Sequence, residues 1–260
     1  MNDMLKVEVI NIGNELLIGR TVNGNLQWLG ERIFNLGGYL KRAFIVRDIK
    51  EDIVESIVQS LNEKVDLILT TGGLGPTYDD ITMQSVAEAL GLQMRINKEA
   101  LEFMKKRKAP SSKNIELAYE KMATLPIRSE PLLNYVGSAP GALIEKNSTK
   151  IIVMPGVPLE MQDMFIRYVE PLLGKYSSKE IVILTEGIYE AELAPLIARM
   201  AINYPSVYIK THPSTVDGIS HVRIELKTQN THDVVDDESE KIISWLKQNG
   251  IKFSVLKKVH

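Results

Sequence analysis

Apolar runs and polar breaks alternate along this chain in a regular order. Lys6–Ile12 (KVEVINI) reads as a buried strand ended by Gly13, and the loop GNELLIGRTVNG follows. Asn25–Leu36 then places Leu26, Leu29, Ile33 and Leu36 on one helical face, with Gly37 and Gly38 as the stop signal. Tyr39–Val46 is a second strand. The next helix starts near Asp48 and Asp52 and carries Ile53, Ile57, Val58 and Leu61 as its apolar stripe. Val65–Thr71 (VDLILTT) is almost wholly apolar, as strands covered on both faces are. A glycine loop leads to a helix over Ile81–Leu90, which Gly91 ends. This alternation predicts an α/β layered domain around a mainly parallel sheet.

Residues 92–125 read as a helix-rich insertion. The stretch GALIEKNSTKIIVMPG is a hairpin turning at Lys146-Asn147-Ser148, and one long helix over Leu159–Leu173 closes the domain. Past Gly174-Lys175-Tyr176-Ser177-Ser178 the pattern begins again: strand Ile181–Thr185, helix Glu190–Ala201, strand Val207–Thr211, turn Asp217-Gly218, strand His221–Lys227, helix Asp233–Gln248, strand Ile251–Leu256. This βαββαβ order is the split βαβ of a small α+β module. The predicted domains are residues 1–174 and 175–260.

Composition narrows the chemistry. The chain has 260 residues, 44% hydrophobic and 25% charged, which is ordinary for a soluble globular protein of one large or two unequal domains. A formal charge of −2 gives no broad attraction to nucleic acid or an anionic membrane. The run Lys105-Lys106-Arg107-Lys108 reads first as a solvated helix face. The absence of cysteine removes disulfides, thiolate metal sites and cysteine nucleophiles together. No apolar stretch approaches the ~20 residues that span a bilayer, and the start lacks a secretory pattern, so a cytoplasmic protein is expected.

The chemistry concentrates in TTGGLGPTYDD, at the carboxyl end of the third strand. Open α/β sheets bind ligands at such ends, and glycines there bring backbone N–H groups close to an anion. Neither a dinucleotide fingerprint nor a P-loop is present: no third spaced glycine follows Gly73 and Gly75, and no Gly-Lys-Ser/Thr. Asp79 and Asp80 would repel a bare phosphate unless a cation lies between, and magnesium binds through one or two carboxylates plus phosphate oxygens. The plainer alternative is a capping box, with Thr77 as cap and Asp80 reaching back. Other strand ends add Glu15, a ligand or an ordinary loop acid; Asn25, in a helix cap or the pocket; and Asp48, a cap or a ligand. Gly137–Gly141 and Pro155–Pro158 add small residues around the same crevice.

The set "TTGGLGPTYDD", "GNELLIGRTVNGN", "GSAPG" and "PGVPLEM" resembles the amino-terminal half of the CinA family, within the molybdopterin-binding (MoCF) superfamily. The likeness spans residues 6–173. Residues 176–260 resemble, more weakly, the KH-like module that follows in CinA proteins. The resemblance implies a three-layer α/β/α domain binding a nucleotide or pterin diphosphate. Carried over by position, Gly72, Gly73, Leu74, Gly75 and Thr77 cradle phosphate. Asp80 is the acid shared across the superfamily, Asp79 the extra one of CinA proteins, and Asp48 a second functional acid. Glu15, Asn25, Ser138, Gly141, Pro155 and Gly156 frame the pocket. Asn14 and Ser138 stand where threonine is common. Nothing here corresponds to the deamidase domain of full-length bacterial members, so deamidation is not expected.

Beside a non-catalytic role as a nucleotide sensor or scaffold, two functions follow. One is a magnesium-dependent hydrolase of ADP-ribose or a similar nucleotide sugar, with Asp80, Asp48 and Glu15 catalytic and Asp79 and Asp80 holding the metal. The other is a molybdopterin-binding or adenylyl-transferring protein using the same loop. Relatives form dimers or trimers, so a homo-oligomer is expected. RNA binding is disfavoured, because the second module lacks a GxxG loop. His212 and His221 read as surface or core residues rather than ligands.

Overall fold

The structure, a computed structural model, describes residues 4–174, 178–229 and 232–259. The chain forms two compact units: one takes the residues up to Gly174 other than 34–37, the other takes 34–37 and the residues beyond 174. The sequence-predicted boundary segment 175–177 lies outside the described residues.

In the first unit the elements run β1 (Lys6–Ile12), α1 (Asn14–Leu17), α2 (Gly24–Asn35), β2 (Tyr39–Val46), α3 (Lys50–Asn62), β3 (Leu67–Thr71) and α4 (Thr82–Leu90). There follow β4 (Met94–Ile96), α5 (Lys98–Arg107), α6 (Lys113–Met122), β5 (Thr124–Pro126), β6 (Glu130–Leu132), β7 (Gly141–Lys146), β8 (Thr149–Met154), α7 (Pro158–Met164) and α8 (Glu170–Leu173). The main sheet has the order β2-β1-β3-β8-β7-β6. β2, β1, β3 and β8 are parallel, and β7 and β6 add an antiparallel edge. The sheet is covered on both faces, which is why β3 is buried at every position. Ile10 and Ile12 pack with Ile53 and Ile57 of α3 and Val86 and Leu90 of α4. Val9 and Leu69, of opposite parity, are equally buried. From β1 the chain steps outward to β2 and then back across to β3, so the carboxyl ends of β1 and β3 form a topological switch point.

Several local expectations change. The loop after β1 contains a helical turn, α1, and the insertion contains a two-stranded sheet, β4 with β5. The single helix predicted over Leu159–Leu173 is α7 and α8 joined by a π-helical segment, Phe165–Val169. Pro171 explains the break: it has no N–H to donate back to residue 167, so the regular ladder cannot pass through it.

The second unit runs β9 (Ser178–Glu186), α9 (Glu190–Asn203), β10 (Tyr208–Val216), β11 (Ile219–Gln229), α10 (His232–Gln248) and β12 (Lys252–Val259). Its sheet order is β10-β11-β9-β12, antiparallel throughout. Asp217 and Gly218, at φ 50° and 79°, make the tight turn of the β10–β11 hairpin. His212 Nε2 lies 3.6 Å from Glu225, and His221 Nδ1 lies 3.1 Å from the Thr185 carbonyl, so both rings have protein partners. Among the described residues no helix is long and apolar enough to cross a membrane.

Candidate functional site

At the switch point the strand ends open into a cavity of about 470 Å³ in the first unit. Five loops wall it. Gly13 and Glu15 follow β1, Asp48 follows β2, Gly72–Thr77 with Asp79 and Asp80 follow β3, Ser138 precedes β7, and Pro155, Gly156 and Glu160 follow β8. Most of the site residues expected from sequence therefore meet in one place. Asn25 lines an adjoining cavity of about 150 Å³, and its Nδ2 donates to the Gly156 carbonyl at 2.8 Å. The cap of α2 is Asn23, whose Oδ1 accepts from the Leu26 N–H at 3.0 Å. Gly141 stands apart from the cavity. It opens β7 fully buried, and a Cβ there would overlap the Val153 carbonyl, so its smallness serves packing rather than the pocket.

The glycine loop is shaped by backbone constraints. Gly72 has φ 104°, and a Cβ on it would overlap the Ile12 carbonyl oxygen. Gly73 follows at φ 66°. Only glycine takes both positions without strain. The Gly72 N–H donates to Met154 O at 3.1 Å, while Thr82 clamps the loop, its Oγ1 donating to Gly72 O at 2.8 Å and its N–H to Gly73 O at 3.2 Å. Among the described residues, no hydrogen bond uses the N–H of Gly73, Leu74 or Gly75. Three successive donors without protein acceptors are left available to an anionic oxygen.

The capping-box alternative holds in one half: Asp80 does reach back to Thr77, but in a turn ahead of the helix. The helix starts at Thr82, five positions past Thr77, with no side-chain cap. Instead Asp80 Oδ2 accepts from Thr77 N–H at 2.9 Å and from Thr77 Oγ1 at 2.6 Å, closing a tight turn. Asp79 Oδ1 lies within reach of the same Thr77 hydroxyl, whose one proton the two carboxylates share. The Thr77 hydroxyl and then Asp79's own backbone N–H, with lesser help from the nearby Lys121 charge, hold the Asp79 carboxyl below the usual carboxylate range. Asp79 is therefore ionised throughout the neutral range.

Across the cavity, Asp48 Oδ2 accepts from the Asn14 N–H at 2.7 Å. It anchors the start of α1 and caps nothing in α3, whose first residue follows Ile49. Glu15 folds back over Gly13, Asp80 sits over Gly75, and Glu160 over Gly137. In each case a Cβ on the glycine would overlap the carboxylate. The loops thus seat their acids on residues without side chains.

Three contributors went unrecognised in the sequence. Lys121 of α6 donates to the Thr77 carbonyl across 44 residues of sequence and lines a smaller cavity beside Asp80. Glu160 lay in plain view within PGVPLEM. Asn134, only 1% exposed, bonds Glu160 at 2.6 Å and organises the Gly137 loop. A buried asparagine between two short strands carries no sequence signal of its own.

The donors here are carboxylate oxygens, which suit a hard divalent cation. Among the described residues no three His, Cys, Asp or Glu side chains are grouped to hold a metal. A cation at Asp79 and Asp80 would need ligand oxygens and water to complete its shell, as magnesium usually does.

Residues 8–175 match the sequence model of a domain family described as "Probable molybdopterin binding domain". A protein of Pyrobaculum calidifontis is 38% identical over 256 residues, covering 95% of this chain and 96% of its own length. One from Aeropyrum pernix is 42% identical over 219 residues, 82% of this chain and 81% of that one. The crystal structure of the protein CinA, of unknown function, from Thermoplasma acidophilum is 35% identical. It covers 65% of this chain and 98% of that one, with a TM-score of 0.60.

Proposed function

The chain belongs to the molybdopterin-binding (MoCF) domain family, on its CinA-like side, and on that premise we propose a cation-dependent hydrolase of nucleotide diphosphates such as ADP-ribose. The observation that carries the reading is the row of unbonded N–H groups at Gly73, Leu74 and Gly75, three residues that line a cavity walled by acids. The amides receive a phosphoryl oxygen and stabilise charge that develops on it. Asp79 and Asp80 are the residues that would hold a divalent cation, magnesium by its coordination habits. When bound, such a cation neutralises diphosphate charge beside the acids. Glu15 or Asp48 accepts a proton from the attacking water. A new P–O bond forms, the bridging P–O bond breaks, and ADP-ribose yields adenosine and ribose monophosphates.

Incubation of the protein with ADP-ribose and a panel of divalent cations tests this. Asp80→Asn keeps the size of the side chain and is expected to lower turnover at least about 100-fold with unfolding midpoint little changed. Undiminished hydrolysis in that variant would overturn the assignment.

A second reading, favoured by the description of the matching family, is binding or adenylylation of molybdopterin at the same loop. It predicts pyrophosphate release from magnesium ATP only when molybdopterin is supplied. In either reading we expect a homo-oligomer, which light scattering measures directly.

A further inference from the structure

The basic run at the end of α5 does not simply face solvent. Lys105 pairs with Glu116 at 3.2 Å, but Arg107 and Lys108 line a separate cavity of about 270 Å³ with Phe103, Tyr119 and Ser138. No carboxylate lines it, and neither cation has an ion-pair partner among the described residues. The diphosphate cavity next door is walled by Glu15, Asp48, Asp79, Asp80 and Glu160, with no basic side chain in its lining. Ser138 belongs to both walls. Two cavities of opposite charge thus share one residue.

Arg107 is held in place. Its Nη1 donates to the Asn134 carbonyl at 2.5 Å and the Gly137 carbonyl at 2.6 Å, and its guanidinium lies 5.7 Å from the Phe103 ring centre. Phe103 is fixed in turn by an edge-on contact with Tyr135 at 5.2 Å. Nε and Nη2 make no hydrogen bond among the described residues, and their N–H groups form one parallel fork. Such a fork matches two adjacent acceptors on a ring edge, as in the O6 and N7 of guanine. Guanine offers both acceptors side by side. Adenine does not, because its amino group donates.

We propose that this cavity is the ring subsite of the diphosphate ligand and that Arg107 makes it prefer an oxo-bearing purine over adenine. The inference rests on the diphosphate reading and moves its preferred ligand from ADP-ribose, whose adenine meets the fork with a donor, to the guanine counterpart: half-buried Phe103 supplies flat surface for any ring, and the fork supplies the choice.

Calorimetric titration with magnesium present, using inorganic pyrophosphate, guanosine diphosphate and adenosine diphosphate, tests it. Guanosine diphosphate is expected to bind about tenfold tighter than adenosine diphosphate, at the low end of what a bidentate pair discriminates. Arg107→Lys keeps the charge but not the fork, and should erase that preference with pyrophosphate affinity unchanged. Phe103→Leu should weaken both nucleotides together, at least about threefold, and leave pyrophosphate alone. Equal binding of the two nucleotides overturns the proposal, as does a preference that survives Arg107→Lys or nucleotide affinities untouched by Phe103→Leu. If Arg107→Lys fails to fold, Phe103→Leu decides. If pyrophosphate itself does not bind, the diphosphate reading falls, and the preference for guanosine over adenosine monophosphate still decides the ring subsite.

Discussion

Two residues show how much of this molecule is set by single positions. Gly72 combines a left-handed φ of 104° with a carbonyl oxygen where a Cβ would stand. Because the obstacle is backbone, no side-chain movement relieves it. Gly72→Ala is expected to lower stability by about 3 kcal/mol or more, read as a lower denaturant midpoint at unchanged slope. Glu238 of α10 is the opposite case, an acid with no exposed surface and no hydrogen-bond partner for either oxygen. Burial pushes its pKa up from 4.5 to about 7. Below about pH 4.5 the carboxyl is neutral in both states and costs nothing as a charge. Between there and about pH 7 the unfolded chain ionises while the folded one stays protonated, so stability falls as pH rises. Above that window the penalty is constant, on the order of 3 kcal/mol. Glu238→Gln should flatten this slope and raise the midpoint at pH 8. A slope unchanged in the variant would assign it to other groups.

At the level of elements, what the sequence disclosed and what it hid have separate physical causes. Strands β1 and β3 are legible because burial on both faces demands continuous apolar runs, and the β7–β8 hairpin because Asn147 tolerates its φ of 55° at the turn. Three-residue strands such as β4, β5 and β6 carry no period; β4 pairs with β5 across the whole helical insertion and β6 with the next strand, β7, and only that pairing defines them. The same limit applies at the site. Composition and order place acids and glycines on the right loops, but the bonds from Asn14 to Asp48 and from Asn25 to Gly156 span 34 and 131 residues. Asn134 is the sharpest instance. Its Oδ1 accepts from the N–H groups of Val136 at 3.1 Å and Gly137 at 2.6 Å, and its Nδ2 donates to Ala139 O at 3.0 Å and to Glu160. Asn134→Ala leaves these groups buried without partners and should cost about 2–3 kcal/mol. Since Ser138 lies within the loop it holds, the variant should also weaken binding of guanosine diphosphate, measured calorimetrically at a temperature where it remains folded.

For the whole molecule, a net charge of −2 conceals a strong local asymmetry. Five carboxylates face one cavity in the first unit while cations line the neighbouring one. A polyanion entering the acidic cavity alone meets repulsion, and a divalent cation alone lacks enough ligands among the described residues. Each is therefore expected to bind weakly by itself and to strengthen the other by the same factor, since coupling between two ligands is reciprocal. Saturation near a hundred times the dissociation constant stabilises the native state by about 2.7 kcal/mol. For a unit of this size, that corresponds to a rise in midpoint of about 5 °C or more. Thermal unfolding with magnesium, with pyrophosphate and with both should give a shift for the pair well above the sum of the separate shifts. Asp79→Asn combined with Asp80→Asn should abolish the excess while leaving the ligand-free midpoint nearly unchanged, because each asparagine retains an oxygen to accept from Thr77. Strictly additive shifts in the unmodified protein would mean that cation and diphosphate do not meet at this loop.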